Sequence, residues 1–237
     1  MELGFELDVY NPAEYYAALG LLELASQQDD EVFSHFESDD TTGANSTLVM
    51  TCKDIVLPDL KALIVTALKY ADPLIAPVMV GSLELNWWMN EFKNDKRNNL
   101  KLYGGNSRPV DMLKTFQHVM GEVDGNVLQH SVNVRHGKSS FGFDRRASRD
   151  ALMVGYSQKE AGDPSVIYPE TEFLCAVGLQ NFRTTKDSYY IWKRPVPIAV
   201  AHAAAVQEIV GLRQSRYTMT VEFVGQGLRA VSQVMRT

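Results

Sequence analysis

Cations and aromatic rings alternate in one short stretch near the middle of the chain. Cations at this density suit the phosphates of a single-stranded nucleic acid, and rings suit base stacking, which contributes about 1–3 kcal/mol per stacked base. We predict that the cations contact phosphates and that the rings stack on bases. The alternative is a basic loop whose two phenylalanines lie in the core. The predicted contacts are Arg135, Lys138, Phe141, Phe143, Arg145, Arg146 and Arg149.

A second group of cations precedes this stretch. Lys96 and Arg97 lie in a run of asparagine, lysine and glycine between Asn94 and Arg108, a composition typical of a loop. We predict both as further phosphate contacts. A solvated loop with no partner is the alternative.

The histidines and cysteines limit the chemistry that is available. The five histidines match no metal-binding spacing, so we predict no metal and no cofactor. His130 or His136 could serve as general acid or base in a metal-independent ribonuclease near neutral pH. Cys52 and Cys175 form no disulfide framework, and Cys175 lies in an apolar helical run that predicts a buried free thiol.

Charge is unevenly distributed along the 237 residues, although the net charge is only −6. Residues 1–90 hold fifteen acids and three bases, whereas residues 91–149 hold eleven bases and six acids. This asymmetry favours a basic face on a phosphate backbone and an acidic face toward solvent or a protein neighbour. Two solvated surfaces without partners are the alternative. No apolar run approaches the roughly 20 residues of a membrane span, so no membrane contact is predicted. The first residues, from Glu2 onward, lack the basic n-region of a signal peptide, and we therefore predict a cytoplasmic protein.

Two segments that lie 158 positions apart have nearly the same sequence. Glu14–Leu21 reads EYYAALGL and Glu172–Leu179 reads EFLCAVGL, with four of eight positions identical. Each follows a proline, which suits the first turn of a helix. A glycine within a helix costs roughly 1 kcal/mol relative to alanine, so its presence predicts close packing against a neighbouring element. A duplication would give two related α+β halves, and chance recurrence of a helical word is the alternative.

Periodicity predicts the elements that hold these residues. A strand at 4–9, a helix at 12–27, two short strands, a helix at 57–71 and two further strands follow the split β-α-β order of a ferredoxin-like layout. The fold class is therefore predicted as α+β with two ferredoxin-like halves and an inserted polar, basic loop region. The predicted units are an N-terminal half at 1–92, a basic linking region at 93–149 and a C-terminal α+β half with a glycine-rich loop at 150–237.

Four segments in this order carry a resemblance to a known family: Asn11–Ala25, Ser140–Ala147, Ala151–Ser157 and Tyr168–Arg183. Together they resemble the third locus-specific effector-associated protein of type I-G (formerly I-U) CRISPR loci. The resemblance spans the chain and implies a RAMP-like protein of the repeat-associated RNA-binding superfamily, built on ferredoxin-like, RRM-like folds. It implies a subunit of an antiviral interference complex, and it brings no catalytic residues.

Residues and resemblance together predict a non-catalytic subunit of an RNA-guided CRISPR effector complex. The basic middle would contact guide RNA, and target DNA as a further possibility, without reading sequence. The acidic N-terminal half would contact neighbouring protein subunits. Three alternatives stay open: a guide-RNA-processing endoribonuclease that uses His130 or His136, a protein-only adaptor, and an unrelated small-molecule enzyme.

Overall fold

The computed structural model of the chain describes residues 1–38, 44–53, 57–89, 107–122, 125–134, 141–144, 146, 165–182, 187–225 and 228–237. Within these residues the fold is mixed α+β, as predicted at that level of detail. The helices are α1 (Pro12–Ser26), α2 (Pro109–Val119), α3 (Pro169–Phe182) and α4 (Ile198–Val206). The strands are β1 (Glu2–Asp8), β2 (Phe33–Ser38), β3 (Asn45–Thr51), β4 (Val65–Ala67), β5 (Val78–Val80), β6 (Leu83–Leu85), β7 (Val132–Val134), β8 (Ser165–Ile167), β9 (Ser188–Trp192), β10 (Val196–Pro197), β11 (Gln214–Gly225) and β12 (Leu228–Arg236).

Helices α1 and α3 form the centre of the molecule, and they are the two segments of the sequence repeat. Both begin at a proline, and α1 is buried from Pro12 to Ala25 because it is apolar on all sides. The first turns of the two helices meet at the Arg146 side chain. Their last turns meet where Asn181 donates a hydrogen bond of 2.8 Å to Glu23. The helices therefore run side by side in the same direction.

The two helix backbones touch at the repeated glycines. A Cβ on Gly20 would lie 2.1 Å from the carbonyl oxygen of Leu174, and a Cβ on Gly178 would lie 2.0 Å from that of Tyr16. Tyr16 and Leu174 occupy the same position of the repeat, so the contact is reciprocal about an approximate twofold axis. The prediction that these glycines mark close packing is confirmed.

The first sheet packs against this helix pair. Its order is β1-β3-β2-β10, and β3 lies antiparallel between β1 and β2, which α1 connects. This is a split β-α-β unit. Strand alternation places Phe36 of β2 on the inner face, where its ring stacks on Tyr15 of α1 with centroids 5.8 Å apart.

Three smaller sheets complete the described fold, with strand orders β12-β11-β9, β4-β5-β6 and β7-β8. The β7–β8 pair has Val132 opposite Ile167 and Val134 opposite Ser165. The chain therefore leaves β7 after residue 134 and returns to the same place at residue 165. Buried side chains from both predicted halves share one hydrophobic core.

The helix predicted at 57–71 is wrong. The chain makes turns from Leu60 and then forms β4, which pairs with β5. Val65 and Thr66 are β-branched and favour an extended chain, and the pairing with Val80 and Met79 satisfies that preference. The predicted second helix of a ferredoxin-like half is thus absent from this stretch, and the split β-α-β unit is the part of that layout present.

Candidate functional site

Two chain corners with the same hydrogen bonds stand at the first turns of α1 and α3. In the first corner, Asp8 is the last residue of the segment FELD, and its Oδ1 accepts a hydrogen bond of 2.8 Å from the backbone N–H of Tyr10. In the second corner, Asp144 is the last residue of FGFD, and its Oδ1 accepts one of 2.9 Å from the N–H of Arg146. Both are Asx turns, in which an aspartate side chain bonds the backbone two residues later.

A helix glutamate closes each corner. Glu14 Oε2 accepts a hydrogen bond of 3.0 Å from the N–H of Asp8, and Glu172 Oε1 accepts one of 3.1 Å from the N–H of Asp144. Glu172 also accepts from the N–H of Gly142 at 3.0 Å. Both glutamates are buried in the first turn of a helix, where the macrodipole favours a negative charge. The geometric repeat is therefore longer than the helical word visible in the sequence.

Arg146 links the two corners. Its side chain is 22% exposed, and its guanidinium carbon lies 3.8 Å from the centre of the Tyr168 ring. Asn11 adds a second link, donating from Nδ2 to Glu14 at 3.0 Å and to Asp144 at 3.1 Å. The oxygen partners of Arg146 include Asp144 Oδ2 (2.6 Å), Gln129 Oε1 (2.7 Å), the Leu128 carbonyl (2.9 Å) and Glu14 Oε1 (3.2 Å).

Burial and charge act in opposite directions on these groups. Burial raises the pKa of the Glu14 carboxyl above its ordinary value, and the hydrogen bond from Asp8 and the charge of Arg146 offset part of that rise. Burial alone would lower the pKa of Arg146, but the hydrogen bond and charge of Asp144, with the charge of Glu14, raise it overall. Arg146 therefore stays charged and serves as an internal counter-ion.

A histidine and a glutamate meet beside this cluster. His130 Nδ1 lies 2.9 Å from Oε1 of Glu170, whose side chain is only 2% exposed in the first turn of α3. The His130 side chain is 23% exposed. A Cβ on Gly121 would lie 3.2 Å from Cε1 and 3.3 Å from Nε2 of this ring, so the ring packs closely on the glycine.

Three of the predicted nucleic-acid contacts, Phe141, Phe143 and Arg146, lie among the described residues. Phe141 is fully buried and Phe143 is 4% exposed, and both pack near the Trp87 ring. Neither ring can stack on a base in this arrangement, which corresponds to the alternative in which they belong to the core. Arg146 binds protein groups instead of facing a phosphate. Arg135, Lys138, Arg145, Arg149, Lys96, Arg97 and His136 lie outside the described residues.

Sequence reasoning does not identify the acidic members of the cluster. In the sequence, Asp144 is a single acidic residue in a basic stretch, and Glu14 and Glu172 are identical positions of the helical repeat. The sequence does contain a sign of the repeated corner, because the similar segments FELD and FGFD each precede a glutamate of a repeated helix. The different spacings, six residues in one copy and twenty-eight in the other, obscure it.

Comparisons with known proteins leave the family open. No family model, no curated protein and no solved structure matches the chain. Among the residues described, no group of three or more histidine, cysteine, aspartate or glutamate side chains is arranged to hold a metal ion. Within the same residues, no helix has both the length and the apolar character to cross a bilayer.

Proposed function

We propose that the chain is a subunit of an RNA-guided CRISPR effector complex and that residues 135–149, hereafter the basic segment, contact the RNA backbone. The split β-α-β unit of β1, α1, β2 and β3 supports a RAMP-like protein with ferredoxin-like ancestry. The acidic N-terminal third supports contacts with neighbouring protein subunits. Phosphate contacts of this kind position RNA without reading its sequence.

The observation that carries this proposal is the anchoring of the basic segment. The β7–β8 pair joins the two ends of the longer stretch 135–164 that contains it, and Phe141 to Asp144 within the segment are buried. Asp144 neutralises Arg146 internally. The basic segment then retains four cations and no other acid: Arg135, Lys138, Arg145 and Arg149. A segment that is held to the fold at Phe141–Asp144 and carries an excess of positive charge suits a phosphate backbone.

RNA binding across a salt series tests the proposal. We expect the purified full chain to bind a repeat-containing RNA with an affinity that falls as salt rises. A variant with Arg135, Lys138, Arg145 and Arg149 all changed to glutamate should lose this binding. For single-stranded RNA, the slope of log K against log salt should flatten by about 0.7 for every phosphate that the protein no longer neutralises. Arg146 is left intact in the variant because its removal would disturb the buried cluster.

A matched control separates a local contact from general charge. Four exposed cations elsewhere, Lys61, Lys69, Lys114 and Arg194, changed to glutamate alter the net charge equally. The control should retain most of the RNA affinity. Equal loss of affinity in both variants would indicate nonspecific attraction, and absence of binding by the unaltered chain would overturn RNA contact and favour the protein-only adaptor.

A further inference from the structure

The first sheet buries one face and leaves the other open to solvent. Side chains alternate along a strand, so Phe36 of β2 and Leu48 of β3 point toward the core, and the residues beside them in each strand point outward. On the outward side Phe33 is 42% exposed, and the Glu37 side chain is 64% exposed. We call this surface the acidic sheet face, and it includes Glu2, Glu6, Phe33, His35, Glu37 and Val49.

The strand register fixes the layout of this face. Its central row consists of Gly4, Val49 and His35, which are partners across β1, β3 and β2. The four corners, each two residues from that row along β1 or β2, are Glu2, Glu6, Phe33 and Glu37. At about 3.3 Å per residue and about 4.8 Å between strands, the corners lie about 13 Å apart along the strands and about 10 Å apart across them. Carboxylates at three corners and an aromatic ring at the fourth therefore surround Val49.

The acidic sheet face carries one sign of charge. The sequences of β1, β2 and β3 contain glutamate and aspartate but no lysine or arginine. Among the described residues Glu2 and Glu6 take part in no salt bridge, and the partner of Glu37 is His35, whose Nε2 lies 3.3 Å from Oε1. A solvated surface ordinarily intersperses both signs of charge. Negative charge around an exposed aromatic ring indicates instead a surface that meets a partner.

The charge of the face selects among possible occupants. RNA phosphates and anionic lipid headgroups carry the same sign, so the face repels them. A second copy docked through the same face would bring like carboxylates together, which is unfavourable. We infer that the acidic sheet face docks a neighbouring protein that presents arginine or lysine side chains around an apolar one. This inference rests on the proposed function for the existence of a neighbouring subunit.

The shape of the face suits such an occupant. Gly4 has no side chain, so a gap lies on β1 between Glu2 and Glu6. A lysine or arginine of the partner lies with its aliphatic stem along this gap and its charged head between the two carboxylates. Arginine fits better, because its planar guanidinium donates to a carboxylate through two hydrogen bonds. Phe33, beside its register partner Pro197, supplies the apolar contact at the opposite corner.

The test is binding of a fluorescent peptide, in which four arginines alternate with leucines, to the full chain. Fluorescence anisotropy measures its affinity, and a peptide with glutamate in place of arginine is the charge-reversed probe. We expect the arginine peptide alone to bind, with an affinity that falls as salt rises. The variant with Glu2→Lys, Glu6→Lys and Glu37→Lys should bind it at least about 10-fold more weakly. Phe33→Ser should weaken binding about 5-fold at low and at high salt.

Two matched variants separate this face from general charge and general hydrophobicity. Asp72→Lys, Glu84→Lys and Glu208→Lys together change the net charge by the same amount at exposed positions outside the face. Ile64→Ser removes an apolar side chain that is 73% exposed on another part of the surface. Both variants should bind the arginine peptide as the unaltered chain does. Thermal unfolding of every variant confirms that a loss of binding is not a loss of fold.

Three outcomes would overturn the docking surface: no binding of the arginine peptide, equal binding of the glutamate peptide, or equal losses in the face and control variants. A concentration-dependent dimer of the unaltered chain that the face variant abolishes would also overturn a separate protein neighbour, since it would assign the face to a second copy. RNA affinity, measured on the same preparations, distinguishes this inference from the proposed function. Peptide binding without RNA binding would support the docking surface and overturn the RNA contact, whereas RNA binding without peptide binding would do the reverse.

Discussion

The two corners of the molecule show what repeats in this fold and what does not. The Asp8–Glu14 corner and the Asp144–Glu172 corner share an Asx turn and a buried glutamate that accepts from the aspartate N–H. They differ in the residue that follows the aspartate by two positions, Tyr10 in the first and Arg146 in the second. The Asx turn and the glutamate that closes it are common to both corners, whereas the arginine is present in the second corner only.

The second corner is also longer. Asp8 and Glu14 are separated by six positions, and Asp144 and Glu172 by twenty-eight. The additional sequence includes the end of the basic segment, and the chain re-enters the described fold through β8 before α3. The charge of Arg146 is used within the protein, because it bridges Asp144 and Glu14 across the approximate twofold axis. The anchor and the excess of cations therefore both belong to the second copy of the repeat.

The largest effect is expected where the two copies touch. Gly20→Ala and Gly178→Ala each direct a Cβ to within about 2 Å of a backbone carbonyl oxygen, which cannot rotate away. Each should lower the free energy of unfolding by at least about 3 kcal/mol, measured by urea denaturation. The double variant should lose less than the sum, because one separation of the helices relieves both clashes.

Gly4→Ala is the control for this pair of substitutions. A Cβ on Gly4 would meet a methyl group of Thr47 at 3.2 Å, and that side chain lies on a sheet and can adjust. Its effect should be within about 1 kcal/mol. Unequal losses of stability at Gly20 and Gly178, with one near the value for Gly4→Ala, would contradict the reciprocal contact.

The next largest effect separates the two helix glutamates. Glu172→Ala leaves the buried N–H groups of Gly142 and Asp144 without their acceptor, at about 1–3 kcal/mol each. Glu14→Ala leaves one backbone N–H, that of Asp8, without its acceptor. Asn11 and Arg146 also lose a partner but keep Asp144, so this variant should destabilise the fold less. Urea denaturation measures the ranking, and faster amide exchange at Gly142 and Asp144 in Glu172→Ala would localise the effect. A larger destabilisation by Glu14→Ala would show that Arg146 depends more on Glu14 than on Asp144.

Much of the framework could be predicted from sequence because the evidence is local. A proline at the helix start and the apolar run predict α1 to within one residue of its bounds, and the same signals place α3 around the word Glu172–Leu179. Alternating apolar residues from Arg216 to Val224 likewise predict a strand, and β11 spans Gln214–Gly225. The alanine-rich run Ile198–Val210 predicts a helix, and α4 ends within it at Val206, where Gln207 adopts an extended backbone.

The remainder depends on contacts between distant positions, and local pattern carries no information on them. Asn11 and Asp144 are 133 residues apart, and nothing near Arg146 identifies Glu14 as its partner. Arg146 therefore looks equivalent in sequence to the neighbouring cations, although its charge is paired with acidic side chains inside the protein. The mistaken helix at 57–71 has the same origin, since pairing with β5 determined the conformation of Val65–Ala67.

A pH dependence should distinguish the corners further. Burial raises the folded-state pKa of Glu14, so the folded chain holds this proton more tightly than the unfolded chain does. Glu14 therefore contributes stability below its ordinary pKa of 4.5, and that contribution is lost as pH rises through the folded pKa. Glu14→Gln removes this titration, so the free energy of unfolding of the variant, relative to the unaltered chain, should rise with pH from 4 upward. A falling difference would contradict the burial argument.

The smallest effect is expected at a position where the side chains of the two copies differ by a single sulfur atom. Cys175 lies where Ala17 stands in the first copy, and both are fully buried beside the helix contact. Burial raises the pKa of the Cys175 thiol well above 9.0, so the native chain should resist thiol reagents at neutral pH and react after unfolding. Because the first copy packs an alanine in the same setting, Cys175→Ala should cost only about 1 kcal/mol in urea denaturation. A destabilisation comparable to that of Gly178→Ala would mean that the second helix packs more tightly at this position than the first, and the approximate symmetry would then be confined to the glycines and the corners.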